Sequence, residues 1–260
     1  MLARLEPVVR RVLIVDSNLA SARLLAELMK GMGGREIVFE SDEKAAMDLA
    51  RDMEPTLAFV ERSGPRFDGE ELVRKLRRSR LAVRKIPVIM VTAEATASNI
   101  WGARDAGVHE FMVKPFSTGD LVRRVINVAT KPRPWVEAVG YVGPDRRRFN
   151  SGDYSGTRKR QNDGQGRAAA LDPMEQATKI IIAALDQFSN DPAQARRALA
   201  AQGEILKDLA DASGRAPLGA AAAALIAAAQ VETAEIDDLR RFAVVALSQA
   251  TTTSVAGRAA

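Results

Sequence analysis

The chain has 260 residues, 47% hydrophobic and 27% charged, a composition that suits one or two folded domains with a substantial core. It contains no cysteine, which excludes disulfides and cysteine-based sites, and its single histidine, His109, argues against a histidine-rich metal site or a histidine-based triad. The formal net charge is +5, no apolar stretch is long enough to span a bilayer, and the N-terminus lacks the apolar core of a signal peptide, so we expect a cytoplasmic protein.

The first 130 residues alternate between strand and helix patterns. Short apolar runs predict strands at 11–16, 36–39, 56–60, 86–92 and 111–113. Helical patterns with start and stop signals fall between and after them, at 18–32, 41–54, 68–79, 95–106 and 117–129. Regular alternation of this kind predicts a parallel sheet with helices on both faces.

Four of the predicted strands deliver a polar residue at the carboxyl end. These residues are Asp16, Glu61, Thr92 and Lys114. Open α/β sheets build their sites outside the carboxyl ends of the strands, so we expect the four side chains to lie close together.

This segment resembles the receiver domain of bacterial two-component response regulators. The resemblance rests on Val-Leu-Ile-Val-Asp-Ser-Asn at 12–18, Pro-Thr-Leu-Ala-Phe-Val-Glu at 55–61 with Pro65 and Asp68-Gly69 after it, Pro-Val-Ile-Met-Val-Thr-Ala at 87–93, and the 106–116 segment with Lys114-Pro115. It covers residues 10–130, about half of the chain. It implies a doubly wound, flavodoxin-like sheet of five parallel strands in the order 2-1-3-4-5.

The resemblance also implies a phosphotransfer site. Receivers use an aspartate that takes a phosphoryl group, two further acids that help it to hold Mg²⁺, a Thr or Ser and a Lys that bind the phosphoryl oxygens, and an aromatic residue that reports the position of the Thr. Three positions match: Thr92, Lys114 and Phe111. Asp16 matches the first acid, but Ser17 replaces the second and Glu61 replaces the phosphoacceptor.

Both departures weaken phosphotransfer. Mg²⁺ relies on carboxylates in near-ideal geometry, and Ser17 supplies only a neutral hydroxyl. The glutamate carboxylate is displaced by about 1.5 Å, toward the place of a phosphoryl group, where Lys114 could pair with it and Thr92 could donate to it. Three interpretations stay open: Glu61 holds the domain near its activated conformation, the site has decayed to a scaffold, or residual phosphorylation persists.

Residues 131–170 read as a basic linker or arm. They carry nine Lys or Arg against four Asp or Glu, with few apolar residues, and a Tyr-x-Gly-x-x-basic-basic unit occurs twice, at 141–147 and 154–160. The layout is similar to that of receiver-like cyclic di-GMP effectors with arginine-rich tails. In that reading the ligand-binding residues are Tyr141, Asp145, Arg146, Arg147, Arg148, Tyr154, Arg158 and Arg160. Nucleic acid, an acidic protein surface, or a solvated linker without a ligand are the alternatives.

Residues 171–260 are predicted to be helical. Asp172-Pro173 and Asp191-Pro192 are typical helix starts, and 218–250 could form one long helix or two. We expect a small antiparallel bundle, whose alanine-rich faces allow close approach of another helix, including one from a second copy of the chain. The predicted domains are therefore 1–130, 131–170 and 171–260.

Three further features can be interpreted without a special function. His109 is expected to be a surface residue without a special role, and the basic run at 74–80 to be a solvated helix face. Trp101 falls on the helix that receivers use for partners, where it is either an interface anchor or packed on its own domain.

The chain shows no pattern of an output enzyme, and no helix-turn-helix. We expect a non-enzymatic signalling adaptor that works by protein–protein contacts. A cyclic di-GMP effector is the main alternative, ahead of a conventional phosphorelay receiver with a weakened Mg²⁺ site or nucleic-acid binding by the arm.

Overall fold

The structure is a computed structural model that describes residues 2–146 and 172–251. These residues divide into two compact units, one of residues 2–136 with 141–146 and one of residues 137–140 with 172–251. In the described ranges, no helix is long and apolar enough to cross a membrane. The predicted domain boundaries at 130 and 170 stay predictions. The second of them falls outside the described ranges.

The first unit is built on a five-stranded parallel sheet. Its strands are β1 (Arg11–Val15), β2 (Glu36–Glu40), β3 (Leu57–Glu61), β6 (Val88–Thr92) and β7 (Glu110–Val113), with a short hairpin of β4 (Ser63–Gly64) and β5 (Phe67–Asp68) after β3. The order is β2-β1-β3-β6-β7, which confirms the predicted order 2-1-3-4-5 for the five sheet strands. Each crossover brings the chain back to the same edge, so the carboxyl ends of β1, β3 and β6 lie side by side.

Six α-helices accompany this sheet. They are α1 (Leu2–Val9), α2 (Leu19–Gly31), α3 (Glu43–Asp52), α4 (Gly69–Arg78), α5 (Ala97–Ala106) and α6 (Thr118–Thr130), and a 3-10 turn covers Ala82–Lys85. Side chains alternate along β1: Leu13 and Val15 join the apolar layer with α3, α4 and α5, whereas Val12 and Ile14 join the layer with α1, α2 and α6. Burial on both faces explains why this strand is a continuous apolar run.

Side-chain caps fix where the helices begin. Asn18 accepts from the Ser21 N–H at the start of α2, and Ser117 forms a capping box with Asp120 at the start of α6. Gly69 is the first residue of α4, and a Cβ at this position would lie 2.1 Å from the Glu61 carbonyl oxygen, which is too close for any other residue. The chain can therefore pass close behind the end of β3 only with glycine at this position.

Part of the predicted linker is ordered in a small sheet that the sequence did not predict. β8 (Trp135–Glu137) pairs with β9 (Val142–Pro144). The Trp135 ring lies 5.4 to 5.8 Å from the cationic groups of Arg77, Arg84 and Lys85. Residues that look like a solvated linker by composition thus pack on the first unit through an aromatic ring and cations.

Arg77 and His109 correct two sequence predictions. Arg77 is fully buried rather than part of a solvated face, and it donates to the carbonyls of Gly107, Arg84 and Ile86 at 2.9, 2.7 and 2.9 Å. Burial lowers the pKa of Arg77 to about 9, so it stays charged at neutral pH. His109 is partly buried, and its Nδ1 accepts from the Val88 N–H, while burial and the charges of two arginines hold its pKa well below 6.5.

The second unit contains four helices in its described residues. They are α7 (Pro173–Asp186), α8 (Pro192–Ser213), α9 (Ala216–Gln230) and α10 (Ile236–Thr251). Asp172 and Asp191 cap α7 and α8, as the Asp-Pro pairs predicted, and the 218–250 segment forms two helices. Each helix packs on the next, and α10 also contacts α7, which closes a bundle around a common apolar core.

Residues 137–140 belong to this second unit. Val139 is buried in its apolar core, and the Gln202 side-chain amide donates to the Glu137 carbonyl at 3.1 Å. Gln194, which is also buried, donates to the Ala138 carbonyl and to the Glu137 carboxylate at 3.3 Å. These bonds supply partners for polar groups that would be costly to bury alone.

Candidate functional site

The candidate site lies where the sequence predicted it, at the carboxyl edge of the sheet. Asp16 follows β1, Glu61 and Thr92 end β3 and β6, and Lys114 follows β7. Crossover connections bring together residues that are up to 98 positions apart in the chain. The close packing of the four ends follows from the parallel topology.

Lys114 joins the two carboxylates. Its Nζ lies 2.8 Å from Asp16 Oδ2 and 3.0 Å from Glu61 Oε1. The side chains of Lys114, Asp16 and Glu61 are only 21%, 5% and 16% exposed, so solvent screens this network weakly. A single ammonium group therefore stands between two acids that would otherwise repel each other.

The second oxygen of Glu61 is occupied by Ser17. The Ser17 backbone N–H and its hydroxyl both donate to Glu61 Oε2, at 3.2 and 2.7 Å. The residue that replaces the second acid of the receiver pattern thus contacts the residue that replaces the phosphoacceptor. An acid at position 17 would instead place a negative charge against the Glu61 carboxylate, so the two departures are compatible with each other.

Asp16 is held by several donors besides Lys114. Asn18 N–H donates to Oδ1 and the Ser21 hydroxyl donates to Oδ2, each at 2.8 Å. Burial on its own would raise the pKa of Asp16, but the hydrogen bonds from Lys114, Asn18 and Ser21 outweigh burial and hold it below its ordinary value. Burial likewise works against the charge on Lys114, yet the bonds to the two carboxylates raise its pKa.

Thr92 and Phe111 occupy the core behind the site. Thr92 is buried, and its Oγ1 accepts from the Glu94 N–H at 3.2 Å. Within the part of the chain that the structure describes, the expected hydrogen bond from Thr92 to Glu61 is not formed. Phe111 is 2% exposed and packs in the apolar layer that contains α4 and α5.

Mg²⁺ does not fit this arrangement. All four oxygens of Asp16 and Glu61 accept hydrogen bonds, and the Lys114 ammonium fills the space between the two carboxylates. Among the residues of the two described ranges, no group of three acids or histidines is placed to hold a metal ion. The cation that these acids need is supplied by the protein itself.

Trp101 lies on α5 and is 54% exposed, with the guanidinium of Arg104 at 5.6 Å from its ring. Trp101 therefore packs on its own domain only in part, and more than half of its side chain remains exposed to solvent.

Three predicted ligand-binding residues of the arm, Tyr141, Asp145 and Arg146, are engaged within the first unit. Tyr141 is buried, burial raises its pKa to about 12, and its hydroxyl donates to the Pro144 carbonyl at 2.6 Å. The Arg146 guanidinium lies 4.4 Å from the Tyr141 ring and pairs with Asp105 at 2.9 Å. The Asp145 carbonyl accepts from Arg133. The remaining predicted residues lie outside the described ranges: Arg147, Arg148, Tyr154, Arg158 and Arg160.

Sequence reasoning missed the two serines that complete the site. Ser17 was taken only as the loss of an acid, and Ser21 was not considered. A signal for Ser21 was present, since the helix start at Asn18 places it one turn into α2, next to the strand end that carries Asp16.

Known proteins match the first part of this chain. The family model of the response regulator receiver domain matches residues 12–126. The transcriptional regulatory protein PdtaR of Mycobacterium tuberculosis (strain ATCC 25618 / H37Rv) is 35% identical over 114 residues, which cover 44% of this chain and 53% of PdtaR. The phosphate regulon transcriptional regulatory protein PhoB of Pseudomonas aeruginosa is 31% identical over 125 residues, 48% of this chain and 54% of PhoB.

The chain thus spans about half the length of the curated relatives that it matches. Among solved structures, a CheY-like response regulator receiver domain protein from Methanospirillum hungatei JF-1 is 23% identical and covers 46% of this chain and 94% of its own, with a TM-score of 0.42.

Proposed function

We propose that this protein, whose residues 12–126 are a response regulator receiver domain, is a non-enzymatic signalling adaptor that acts through protein–protein contacts and does not depend on phosphorylation at position 61. The observation that carries the proposal is that both oxygens of the Glu61 carboxylate are bonded within the protein, one to Lys114 and the other to Ser17. A nucleophilic carboxylate has to bring an oxygen to the phosphorus atom in the right geometry, and here both oxygens of Glu61 are held by hydrogen bonds to other groups of the protein.

The charge balance of the site supports the same conclusion. Phosphoryl transfer depends on positioning and on cations that neutralise the transferred group. In this chain Lys114 already neutralises Glu61 and Asp16, so an incoming phosphate would have to displace one of them. The network thus holds the receiver in one charge state, which suits a platform that partners recognise continuously.

The relation of this state to an activated receiver rests on two residues. The bond from Lys114 to Glu61 supports the interpretation of Glu61 as a permanent negative charge in place of a phosphoryl group. Thr92 is bonded to Glu94 N–H instead of Glu61, so the second group that would sense that charge is not engaged. We therefore propose that the domain is a fixed scaffold in which Lys114 is bonded to Glu61 but Thr92 is not.

Treatment with a small phosphodonor and Mg²⁺ tests this proposal. We expect no phosphoryl adduct on the wild-type chain by intact mass spectrometry. The double variant Ser17→Asp with Glu61→Asp restores the acids of the receiver pattern, and we expect it to gain an Mg²⁺-dependent adduct.

The matched control is Ser17→Asp with Glu61→Asn, which has the restored acid but no nucleophile and should stay unmodified. A stable phosphoryl group on Glu61 of the wild-type chain would contradict the proposal.

Trp101 is the residue that we propose for partner contact. Its exposed ring on α5 is a typical anchor, because truncation of a central aromatic commonly costs 2 kcal/mol or more, about a 30-fold loss of affinity. We expect Trp101→Ala to reduce co-purification of the signalling partner by about that factor. Leu24→Ala, on the 59% exposed Leu24 of α2, is the control and should leave recovery unchanged. Equal recovery with both variants would place the contact elsewhere.

The names of the curated relatives suggest the process. PdtaR and PhoB are both named as transcriptional regulatory proteins, so we propose that the adaptor serves a signal that ends in gene regulation. The match covers about half of each relative, and we propose that the output of this chain depends on its own helical unit.

A further inference from the structure

Residues 137–140 belong to the helical unit but form no part of its helices. Glu137 and Val139 are buried, whereas Ala138 between them is less buried and Gly140 is exposed. Alternation of this kind is typical of an extended chain with one side against a surface. The valine joins the apolar core of the bundle. The segment therefore packs on the helices as a short extended peptide.

Helix α8 provides the surface that receives this segment. Gln194, Ala198 and Gln202 follow one another at intervals of four residues, so they lie along one face of the helix, and all three are buried. The two glutamines are about 12 Å apart along the helix, with the small Ala198 between them. This face, called the α8 groove below, is thus bounded by two side-chain amides and has a small residue at its centre.

The two amides bind the main chain of the segment. Gln202 Nε2 donates to the Glu137 carbonyl at 3.1 Å, and Gln194 Nε2 donates to the Ala138 carbonyl and to the Glu137 carboxylate, each at 3.3 Å. Arg197 orients Gln194, because its Nε and Nη2 donate to Gln194 Oε1 at 3.0 and 2.7 Å. Every peptide has carbonyls, so these bonds recognise an extended chain, and the carboxylate and the buried valine add a preference for sequence.

The segment leaves the α8 groove incompletely paired. Gln202 is 2% exposed, yet its Oε1 accepts no hydrogen bond among the residues that the structure describes. Buried polar atoms nearly always have a partner, so an acceptor in this position is costly. The three bonds to the segment are also 3.1 to 3.3 Å long, whereas about 2.9 Å is most common for N–H···O bonds. A peptide that also presents an N–H to Gln202 Oε1 would bind more tightly than residues 137–140.

The polar lining supports a binding role over a purely structural one. Burying Gln194 and Gln202 beneath four residues costs desolvation that apolar side chains would avoid. A peptide site needs such groups, because an extended backbone brings carbonyls and N–H groups that have to be paired once water is excluded.

We propose that the α8 groove is a peptide-binding site that residues 137–140 fill in cis, and that an extended segment of a signalling partner displaces them. The partner segment carries an acid two residues before a branched aliphatic residue, as Glu137 and Val139 do, and an N–H that reaches Gln202 Oε1. This contact belongs to the helical unit, so it goes beyond the one proposed for Trp101 of the receiver domain.

Fluorescence anisotropy of a labelled peptide measures binding to the full chain. The probe is a peptide of residues 133–141, and the same peptide with Val139→Asp is its control, which should bind no chain. We expect the wild-type chain to bind the probe with a dissociation constant on the order of 100 μM, because its own residues 137–140 compete. Val139→Asp in the chain weakens this competitor, so we expect that chain to bind the probe about tenfold more tightly.

Gln202→Glu tests whether the probe occupies the α8 groove. In the Val139→Asp chain, this change replaces a donor to the probe's carbonyl with a carboxylate, and we expect affinity to fall by about tenfold or more. Gln230→Glu is the matched control, because Gln230 is exposed at the end of α9, and it should leave the affinity unchanged. Circular dichroism checks that each variant keeps its helices. If Val139→Asp loses them, the milder Val139→Ala takes its place, with an expected gain of about threefold.

Three outcomes would overturn the proposal. The first is a lack of probe binding to the folded variant at about 500 μM, fivefold above the dissociation constant expected for the wild-type chain. The second is an equal loss from Gln202→Glu and Gln230→Glu. The third comes from sedimentation equilibrium: a wild-type dimer that Val139→Asp abolishes would mean that residues 137–140 of a second copy fill the groove instead of a partner, whereas a monomer agrees with the proposal.

Discussion

Replacing Arg77 with methionine is expected to lower the free energy of unfolding of the first unit by about 4 kcal/mol, the largest effect of any single substitution considered. Methionine keeps most of the buried aliphatic volume, so the loss comes from hydrogen bonding. The carbonyls of Gly107, Arg84 and Ile86 each lose a charged donor, and a buried acceptor left without a partner costs about 1–3 kcal/mol.

The measurement is urea unfolding followed by the fluorescence of Trp135 in a Trp101→Phe background. Trp135 lies 5.4 Å from the Arg77 guanidinium, so it reports on the same region. Arg74→Met is the matched control: Arg74 is on the same helix, its side chain is 40% exposed, and its pairs with Glu70 and Glu71 should be worth less than about 1 kcal/mol.

Arg77→Lys separates charge from geometry. Lysine keeps the positive charge, but its single ammonium group cannot donate to three carbonyls that surround a planar guanidinium. We expect it to recover less than half of the loss. Full recovery by lysine, or equal effects at positions 74 and 77, would mean that the three carbonyl bonds do not hold this region together.

The fold of the first unit could be predicted because its signals are local and agree with one another. Apolar runs of three to six residues, Asn18 and Ser117 as helix caps, and the polar residue at the end of four of the five strands all indicate the same parallel sheet. The chain order of strands and helices then brings distant residues to one edge, so the positions of Asp16, Glu61, Thr92 and Lys114 could be predicted as well.

The sequence predicted a pair between Lys114 and Glu61. The bonds of Lys114 to Asp16 and of Ser17 to Glu61 could not be predicted, because they depend on distances of a few tenths of an ångström. Lys114 has one ammonium group for two carboxylates, and only the structure shows that it reaches both. The same holds for Arg77: its neighbours in the sequence are solvated cations, and a short basic run does not reveal which member points inward. The β8–β9 sheet was missed because Trp135 packs on cations. Such a contact leaves no periodic pattern of apolar residues in the sequence.

Replacing Lys114 with methionine is the second substitution with a large expected effect, a loss of about 3 kcal/mol at pH 7. Asp16 and Glu61 would then remain close together and partly buried without their common cation. Removing one charge should relieve this repulsion. We expect Lys114→Met with Glu61→Gln to recover at least half of the loss, while Glu61→Gln alone should cost about 1 kcal/mol, since Lys114 keeps its bond to Asp16.

The pKa shifts of Asp16 and Lys114 determine how the stabilisation by this network changes with pH. In the wild-type chain the pKa of Asp16 lies below its ordinary value of 3.8, so its stabilising effect is complete above that pH and is lost as the pH falls through the folded pKa. The pKa of Lys114 lies above 10.5, so its effect is complete below that pH and is lost as the pH rises through the folded pKa.

The difference in the free energy of unfolding between the wild-type chain and the Lys114→Met variant should therefore be largest at intermediate pH. Without Lys114, burial acts on Asp16 with less compensation, and protonation in acid relieves the repulsion with Glu61. Urea unfolding of both chains from about pH 4 to pH 10 spans the interval between the ordinary pKa values of these side chains. A gap that stays constant as the pH falls toward 4 would mean that Lys114 stabilises the domain by packing rather than by charge, and Glu61 would then lose its role as a neutralised acid held in one state.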